Sequence, residues 1–567
     1  MNLKRFLLFF IFVASLLLFG LSVFKNISYP LLWGDEAETV VFAERILKFG
    51  YPKVHDGKNS LNLTMVKNKS IGVKKSVDAW IHLPWLQYYY AVPGVWLASD
   101  INDLYVKTRV VRLPFAIAGT FGILIYAFSA FPLFKGRKLE YLTAFLLLSA
   151  ISVPLVLNLR EVRSYSLTFL LLALIFLVFN YYYFFKKLSS IVFATTFIIF
   201  SILLLNNFTP AFVICIIAIA CYVVFEILAF RLKDNKTVPF CLLVNSFDKK
   251  RVKVVFLTLL ATLIISIPFY VFYETIYISR EVAKEFVWDI SSYLGKLVRI
   301  MKFYSLYDFL PVVLILKIFL YALLKDYSRR VNKLSLLLEN YLRVSSFFIF
   351  FFVVYLLIIS NMPYIFDRYY IALQPILSMS IIIDVVLYYK IISLHYEKKL
   401  FKSLIYNIYV VAGVFLVCSV FKFDTIAGHV YELTHIYKGP LDYVIPYIHD
   451  NYNNPENLVI ETNIEQTPYI YYLGSSAFRE TSYDTLPDNE PDIIIPKKYP
   501  NLGYQPSVID KLLKDGSYQK ITFPIADYPA NNISEFSFSL KHLFKTRIAG
   551  KETDRLVIYI NENSKNK

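Results

Sequence analysis

The stretch LLWGDEAETVVFAERILKFGYP, Leu31 to Pro52, comes soon after an apolar run from Phe6 to about Phe24. Three carboxylates, Asp35, Glu36 and Glu38, stand within a few residues of that membrane exit. The simplest account of them is a helix start. Asp35 would accept from backbone N–H groups as N-cap, Glu38 would close a capping box, and both would suit the helix dipole. AETVVFAERILKFG then reads as a helix, with Glu44 and Lys48 four apart, ended by Gly50 and Pro52. Capping leaves Glu36 without a purpose, and the rest of the chain supplies another reason for the charge.

Of 567 residues, 57% are hydrophobic and 18% aromatic, and the mean hydropathy is +0.52. A soluble protein of this size would not carry so much apolar surface. The class is a polytopic membrane protein, and the net charge of +17 reads as Lys and Arg gathered in cytoplasmic loops and near lipid heads, with no nucleic-acid partner. The four cysteines, Cys215, Cys221, Cys241 and Cys418, offer neither a disulfide framework nor a zinc spacing. The first apolar run follows Lys4-Arg5 and lacks a clear small-x-small site, so a retained helix is expected in place of a cleaved signal peptide.

A span needs about 20 apolar residues. Candidates lie at 6–24, 108–130, 140–158, 165–185, 190–206, 210–230, 253–272, 308–325, 344–361, 369–389 and 403–421, about 11 in all. Every second connection is basic: Lys4-Arg5, Lys135–Lys138, Lys186-Lys187, Arg231–Lys253, Lys325–Arg330 and Tyr396–Lys402. The positive-inside rule puts these, and the N-terminus, in the cytoplasm of a cell (inner or plasma) membrane. Segments 25–107, 158–164, 206–210, 273–307 and 361–368 then face outward, as does everything from Lys422. Within 25–107, Ala79–Leu97 is aromatic and interrupted by Pro84 and Pro93, which suits interfacial helices. The last segment changes character. Asn457–Thr462, Asp492–Pro496, Lys520–Ile525 and Arg555–Ile560 read as short buried strands and Val508–Gly516 as a helix, giving a small α/β domain. The expected organisation is a transmembrane domain over 1–421 and an extracytoplasmic α/β domain over 422–567.

Ionisable groups near hydrocarbon are costly and point to function. LNLREVRSYSL (Leu157–Leu167) puts Arg160, Glu161, Arg163 and Tyr165 at the outer surface, and YIFDRYYIALQP (Tyr364–Pro375) puts Asp367, Arg368 and Tyr369 there. Carboxylates on one loop with arginines on two others make a site able to grip an anion and move a proton. Arg binds phosphate through two parallel hydrogen bonds, and a phosphate at a leaflet surface suggests a lipid phosphate. Alternatively, Arg160 and Arg163 meet lipid heads and Asp367 pairs with Arg368.

In order along the chain these loops resemble a family. GDEAETVVFAERILKFGYP is similar to the first-loop Asp-Glu motif of the GT-C glycosyltransferases, which include the dolichyl-phosphate-mannose protein mannosyltransferases and the bacterial aminoarabinose transferases that modify lipid A. IHLPWLQYYY (Ile81–Tyr90) resembles a later His/Pro/Tyr-rich stretch, with Leu83 where the family has a first proline. LREVRSYSL resembles an Arg-Glu-x-Arg-x-Tyr loop, and DRYYIALQP a late Arg-Tyr element. The resemblance implies transfer of a hexose or pentose from a polyprenyl-phosphate donor to a hydroxyl of a lipid, glycan or protein, by direct inverting displacement on the outer face. Asp35 would be the base and Glu36 would orient it or bind acceptor. Arg160, Arg163 and Arg368 would hold the donor phosphate. Glu161, Tyr165, His82, Gln87, Tyr88 and Tyr369 would line the substrate space, although a histidine among apolar residues is more often simply packed. No cofactor and no metal are expected; Asp35, Glu36 and Glu161 could gather a divalent ion as in the oligosaccharyltransferase branch. Two other readings stay open. One is a transporter or lipid flippase, for which Asp384, alone in SMSIIIDVVLYY, is the relevant residue. The other is a glycan polymerase or ligase with a lipid diphosphate donor.

Overall fold

The computed structural model describes residues 3–61, 71–231, 248–284, 289–330, 336–362, 366–395, 398–423, 427, 436, 438–463, 465–479, 490–496, 507–515, 517–527 and 555–562. In chain order the helices are α1 (Leu3–Phe24), α2 (Gly34–Phe49), α3 (Leu86–Ala98), α4 (Leu104–Phe128), α5 (Lys138–Ala150), α6 (Val153–Leu159), α7 (Ser164–Tyr183) and α8 (Ser190–Leu205). They continue as α9 (Thr209–Arg231), α10 (Lys249–Phe272), α11 (Thr275–Lys284), α12 (Ile290–Tyr307), α13 (Leu310–Arg330), α14 (Leu336–Ile359), α15 (Gln374–His395) and α16 (Lys398–Phe421).

Among the described residues, seven helical stretches, from α1, α4, α7, α9, α10, α14 and α15, are long and apolar enough to cross a membrane. Helices α12 and α13 make an eighth if taken as one span bent by 91°. The expected spans at 190–206 and 403–421 are shorter apolar helices, Ser190–Leu205 and Tyr409–Val420. The expected span 140–158 is divided into α5 and α6. Pro154 sits in the first turn of α6, where its missing N–H and fixed φ allow a helix to begin but not to continue from the one before. The fold is therefore a polytopic helical membrane fold with a small C-terminal α/β part.

Tight packing in the bundle comes from absent side chains as well as large ones. A Cβ on Gly119 of α4 would lie 2.8 Å from Leu159 Cδ2, and one on Gly122 would lie 2.8 Å from the Leu170 backbone nitrogen. Small residues bring α4 against α6 and α7, as in other membrane helix pairs. Elsewhere rings fill the space: Phe176 meets Phe351 edge-on with centroids 4.7 Å apart.

At one end of the bundle, α2 and α3 form a platform. Residues of α2 and α3 share one hydrophobic core with the C-terminal helices Leu441–Asn451 and Thr467–Leu473 and with the sheet behind them. That sheet has the order β4-β3-β5-β7-β6, from β3 (Val459–Thr462), β4 (Ser476–Arg479), β5 (Ile493–Ile495), β6 (Tyr518–Ala526) and β7 (Arg555–Asn561). Strand β3 runs parallel to β4 and β5, and β7 antiparallel to β5 and β6. The four expected strands are present, and the helix at Ser507–Asp515 with them. Strand β4 was not expected, because Ser-Ala-Phe-Arg carries no β-branched run. β1 (Val73–Lys74) and β2 (Ala79–Trp80) form a short hairpin ahead of α3. Pro93 lies inside α3 without ending it.

Candidate active site

The helix start at α2 is not built as a capping box. Trp33 is the N-cap and makes no side-chain capping bond, and Asp35 is the second helical residue. Its carboxylate reaches across the fold. Asp35 Oδ2 accepts from Arg368 Nη2 at 3.0 Å and lies 3.4 Å from Arg163 Nη2. The two arginines come from the turn before α15 and the loop between α6 and α7. Arg163 Nη1 also donates to the Asp35 carbonyl at 3.1 Å and to Thr39 Oγ1 at 3.3 Å.

Consecutive helical residues point about 100° apart, so the next carboxylate faces elsewhere. Glu36 is turned into the protein and its side chain is 0% exposed, against 28% for Asp35. Arg112 of α4 grips it with Nε to Oε1 at 2.9 Å and Nη2 to Oε2 at 2.5 Å. The Val162 amide adds a bond to Oε1 at 3.0 Å. Arg112 also donates to the carbonyls of Ile27 at 3.0 Å and Pro30 at 2.7 Å. Both of its carboxylate oxygens are thus engaged within the protein. Glu36, expected to orient Asp35 or bind acceptor, ties α2 to α4 and to the arginine loop. Among the described residues no group of three or more His, Cys, Asp or Glu side chains is placed as a metal ligand set.

Glu38, one helical turn beyond Asp35, shares its face. Its Oε1 accepts from the Tyr88 hydroxyl at 3.2 Å and lies 3.8 Å from Arg163 Nη1. Tyr88 is therefore linked to the arginine through Glu38. Glu161 is buried, and its Oε2 has no hydrogen-bond partner among the described residues. Burial, then the neighbouring Glu36, push its pKa up to about 8 against the pull of Arg368 and Arg112. Burial and the neighbouring carboxylate thus favour its neutral form. Tyr165, buried in the first turn of α7, stands near both Arg163 and Arg368.

Arg368 is held by rings. Its guanidinium lies 4.3 Å from the Phe366 ring centroid, 5.1 Å from Trp33 and 5.9 Å from Tyr369. Such contacts favour the charged group without using its N–H donors. Arg160 is buried too, and its Nη1 donates to the Lys25 carbonyl at 3.4 Å, toward the end of α1. The structure thus joins Asp35, Arg163 and Arg368 directly, with Tyr88, Glu161, Tyr165 and Tyr369 around them.

Two expected lining residues are used otherwise. Gln87 Oε1 accepts the Ser164 amide at 3.1 Å, at the first residue of α7. His82 packs on Trp80, with ring centroids 5.5 Å apart, and against Gly72, where a Cβ would fall 2.4 Å from its own. Burial pulls its pKa down to about 4, so the ring is neutral. Here Gln87 supports the α7 backbone and His82 packs on Trp80. Arg112 and Trp33 were not foreseen. An arginine within VVRLPF, inside an apolar run, was the available signal for Arg112, because such a charge needs a buried partner. Trp33 carried no signal.

No protein-family model matches the sequence, and no curated protein matches it. Among solved structures the chain is similar to ArnT from Cupriavidus metallidurans in the apo state, with a TM-score of 0.50, 12% identity and 97% of each chain covered. It also matches the same protein bound to undecaprenyl phosphate, with a TM-score of 0.48, 11% identity and the same coverage of 97%. At this identity the likeness to the apo structure is one of fold. The loops that resemble the GT-C glycosyltransferases thus sit on a fold similar to that of ArnT.

Proposed function

We propose that this chain is a membrane glycosyltransferase. It moves a sugar from a polyprenyl-phosphate donor to a hydroxyl of a lipid, glycan or protein, on the outer face of the cell membrane. The N-terminus then lies in the cytoplasm and the C-terminal domain, 422–567, outside. The observation that carries the reading is the partly exposed Asp35 carboxylate held between Arg163 and Arg368, 3.4 and 3.0 Å away.

The chemistry follows from that arrangement. A donor phosphate is a bidentate match for guanidinium and competes with Asp35 for the two arginines. Asp35 is then released as hydrogen-bond acceptor for the incoming hydroxyl. The acceptor oxygen attacks the anomeric carbon from the face opposite the phosphate, and its proton passes to Asp35. The bond from the anomeric carbon to the phosphate oxygen breaks with its electron pair on that oxygen, and the configuration inverts. Arg163 and Arg368 stabilise the charge the phosphate gains, so the step calls on no metal. Glu161, protonated, offers an O–H to the sugar or phosphate.

Asp35→Asn keeps the shape and removes the base. In membranes supplied with labelled polyprenyl-phosphate sugar, release of polyprenyl phosphate should fall about 10²–10⁴-fold, with donor binding retained. Wild-type activity in that variant, or transbilayer movement of the lipid without bond cleavage in the parent, overturns the reading.

A further inference from the structure

We propose that the C-terminal domain is a working part of the site, with Thr467, Tyr472 and Asp442 positioning Asp35 by clasping the segment from which α2 starts. The inference rests on the transferase reading and adds positioning residues to it. Helix α2 begins without a side-chain cap, from a Trp33 with extended backbone at φ −81° and ψ 172°. Residues 30–34 therefore need partners for their own N–H and C=O groups, and those partners come from the far end of the chain. The Leu31 amide donates to Asp442 Oδ1 at 3.1 Å, the Leu32 amide to the Tyr472 hydroxyl at 3.1 Å, and Thr467 Oγ1 donates to the Gly34 carbonyl at 2.7 Å.

Each clasping group is itself fixed. Asp442 Oδ2 accepts the Gly439 amide at 2.7 Å. The Thr108 hydroxyl gives its proton to the Leu104 carbonyl at 2.7 Å, so in the 2.5 Å contact between Thr108 and Tyr472 the tyrosine is the donor. Tyr472 thereby joins the C-terminal helix, α4 and the start of α2 through one oxygen. The approach is close: a Cβ on Gly34 would lie 3.0 Å from Glu465 Cγ. On the opposite side Arg112 holds the Pro30 carbonyl at 2.7 Å. Asp35 is the next residue after Gly34, so the clasp sets where the first turn of α2 stands. Displacing a reacting group by about 1 Å can cost about 10²-fold in rate.

The test uses the full chain in nanodiscs with Thr467→Val, Tyr472→Phe, the double variant, and Thr467→Ser as the conservative control. Hydrogen exchange over 31–38 is read beside kcat and the donor KM. The double variant should exchange at least about tenfold faster over 31–38 with α7 unchanged. Its kcat should fall about tenfold or more, with donor KM within about twofold. Thr467→Ser should behave as the parent. Unchanged exchange, or faster exchange with kcat within about twofold of the parent, overturns the clasp. An inactive parent overturns the transferase reading, whereas an active parent with a fully active double variant overturns only the clasp. If the double variant does not fold, each single variant is expected to lower kcat about threefold, and wild-type kcat in both overturns the proposal.

Discussion

Two charge clusters in this molecule use the same chemistry to opposite ends. Deep between α9 and α14, Glu226 and Arg343 meet oxygen to nitrogen, at 2.8 Å through Nε and 2.9 Å through Nη2. Both are buried, and Tyr222 donates to the same carboxylate at 2.8 Å. One anion answers one cation. At the end of the bundle, one oxygen of Asp35 is shared by two arginines, and burial favours the neutral form of Glu161 beside them. That cluster, in which Glu38 also lies 3.8 Å from Arg163, opens to solvent through Asp35, 28% exposed. A closed pair holds helices together, while a shared, partly exposed one has capacity left for an anionic ligand. Asp384, which a transport path would leave available, belongs to the closed type: Lys317 lies 2.8 Å from its Oδ2, and Ser345 hydrogen-bonds to it.

The contrast is broken most severely from the inner cluster. Arg343→Ala leaves Glu226 buried without its counter-charge, a loss of about 3–5 kcal/mol. The thermal transition in detergent should fall sharply, while the double replacement Glu226→Leu with Arg343→Met should recover most of it. Donor KM measured on the folded fraction of either should match the parent. Arg368→Ala should do the reverse. Transfer should fall about 10²–10³-fold, with donor KM raised more than acceptor KM, and thermal stability should change far less than for Arg343→Ala. A larger acceptor than donor effect would count against a lipid-phosphate role for Arg368.

The sequence made the bundle legible because apolar runs of span length state their own purpose, and because alternating basic loops order them. It marked Asp35 by placing acid at a membrane exit and Arg368 by placing charge in a short loop. It could not show that the two meet, since they lie 333 positions apart and nothing local links them. Nor could it separate Asp35 from Glu36, whose different fates follow from one helical step of rotation. The expected cap at Asp35 failed for a related reason: a carboxylate in a first turn can serve the local N–H groups or a distant guanidinium, and only the tertiary fold decides. The C-terminal clasp was hidden more deeply, because its partners on segment 30–34 are backbone groups that every residue carries.

A smaller effect sharpens the outer cluster. The Glu161 carboxyl is raised by burial and by Glu36 to about 8 from an ordinary 4.5. The folded protein then keeps a proton that the unfolded chain has lost, so stability declines as pH rises between those two values. Replacing the group by a neutral isostere removes this dependence. Glu161→Gln should flatten the fall in melting temperature from pH 5 to pH 8 by a few degrees, about 2–4 °C, with no change below pH 4.5. An unaltered slope would mean that Glu161 is charged in the fold, adding a further carboxylate charge beside the arginines.

The least effect is expected where sequence reasoning placed a ligand and the structure places packing. His82 is neutral down to about pH 4, and its Nδ1 has no hydrogen-bond partner among the described residues. Its ring rests on Trp80. Phenylalanine keeps an aromatic face there and removes the unpartnered nitrogen, a change worth within about 1 kcal/mol either way. His82→Phe should therefore leave transfer within about twofold and leave the pH profile of kcat unmoved. A loss comparable to that of Arg368→Ala would make the ring a sugar contact after all. The outer site would then extend beyond the arginine cluster to the hairpin that precedes α3.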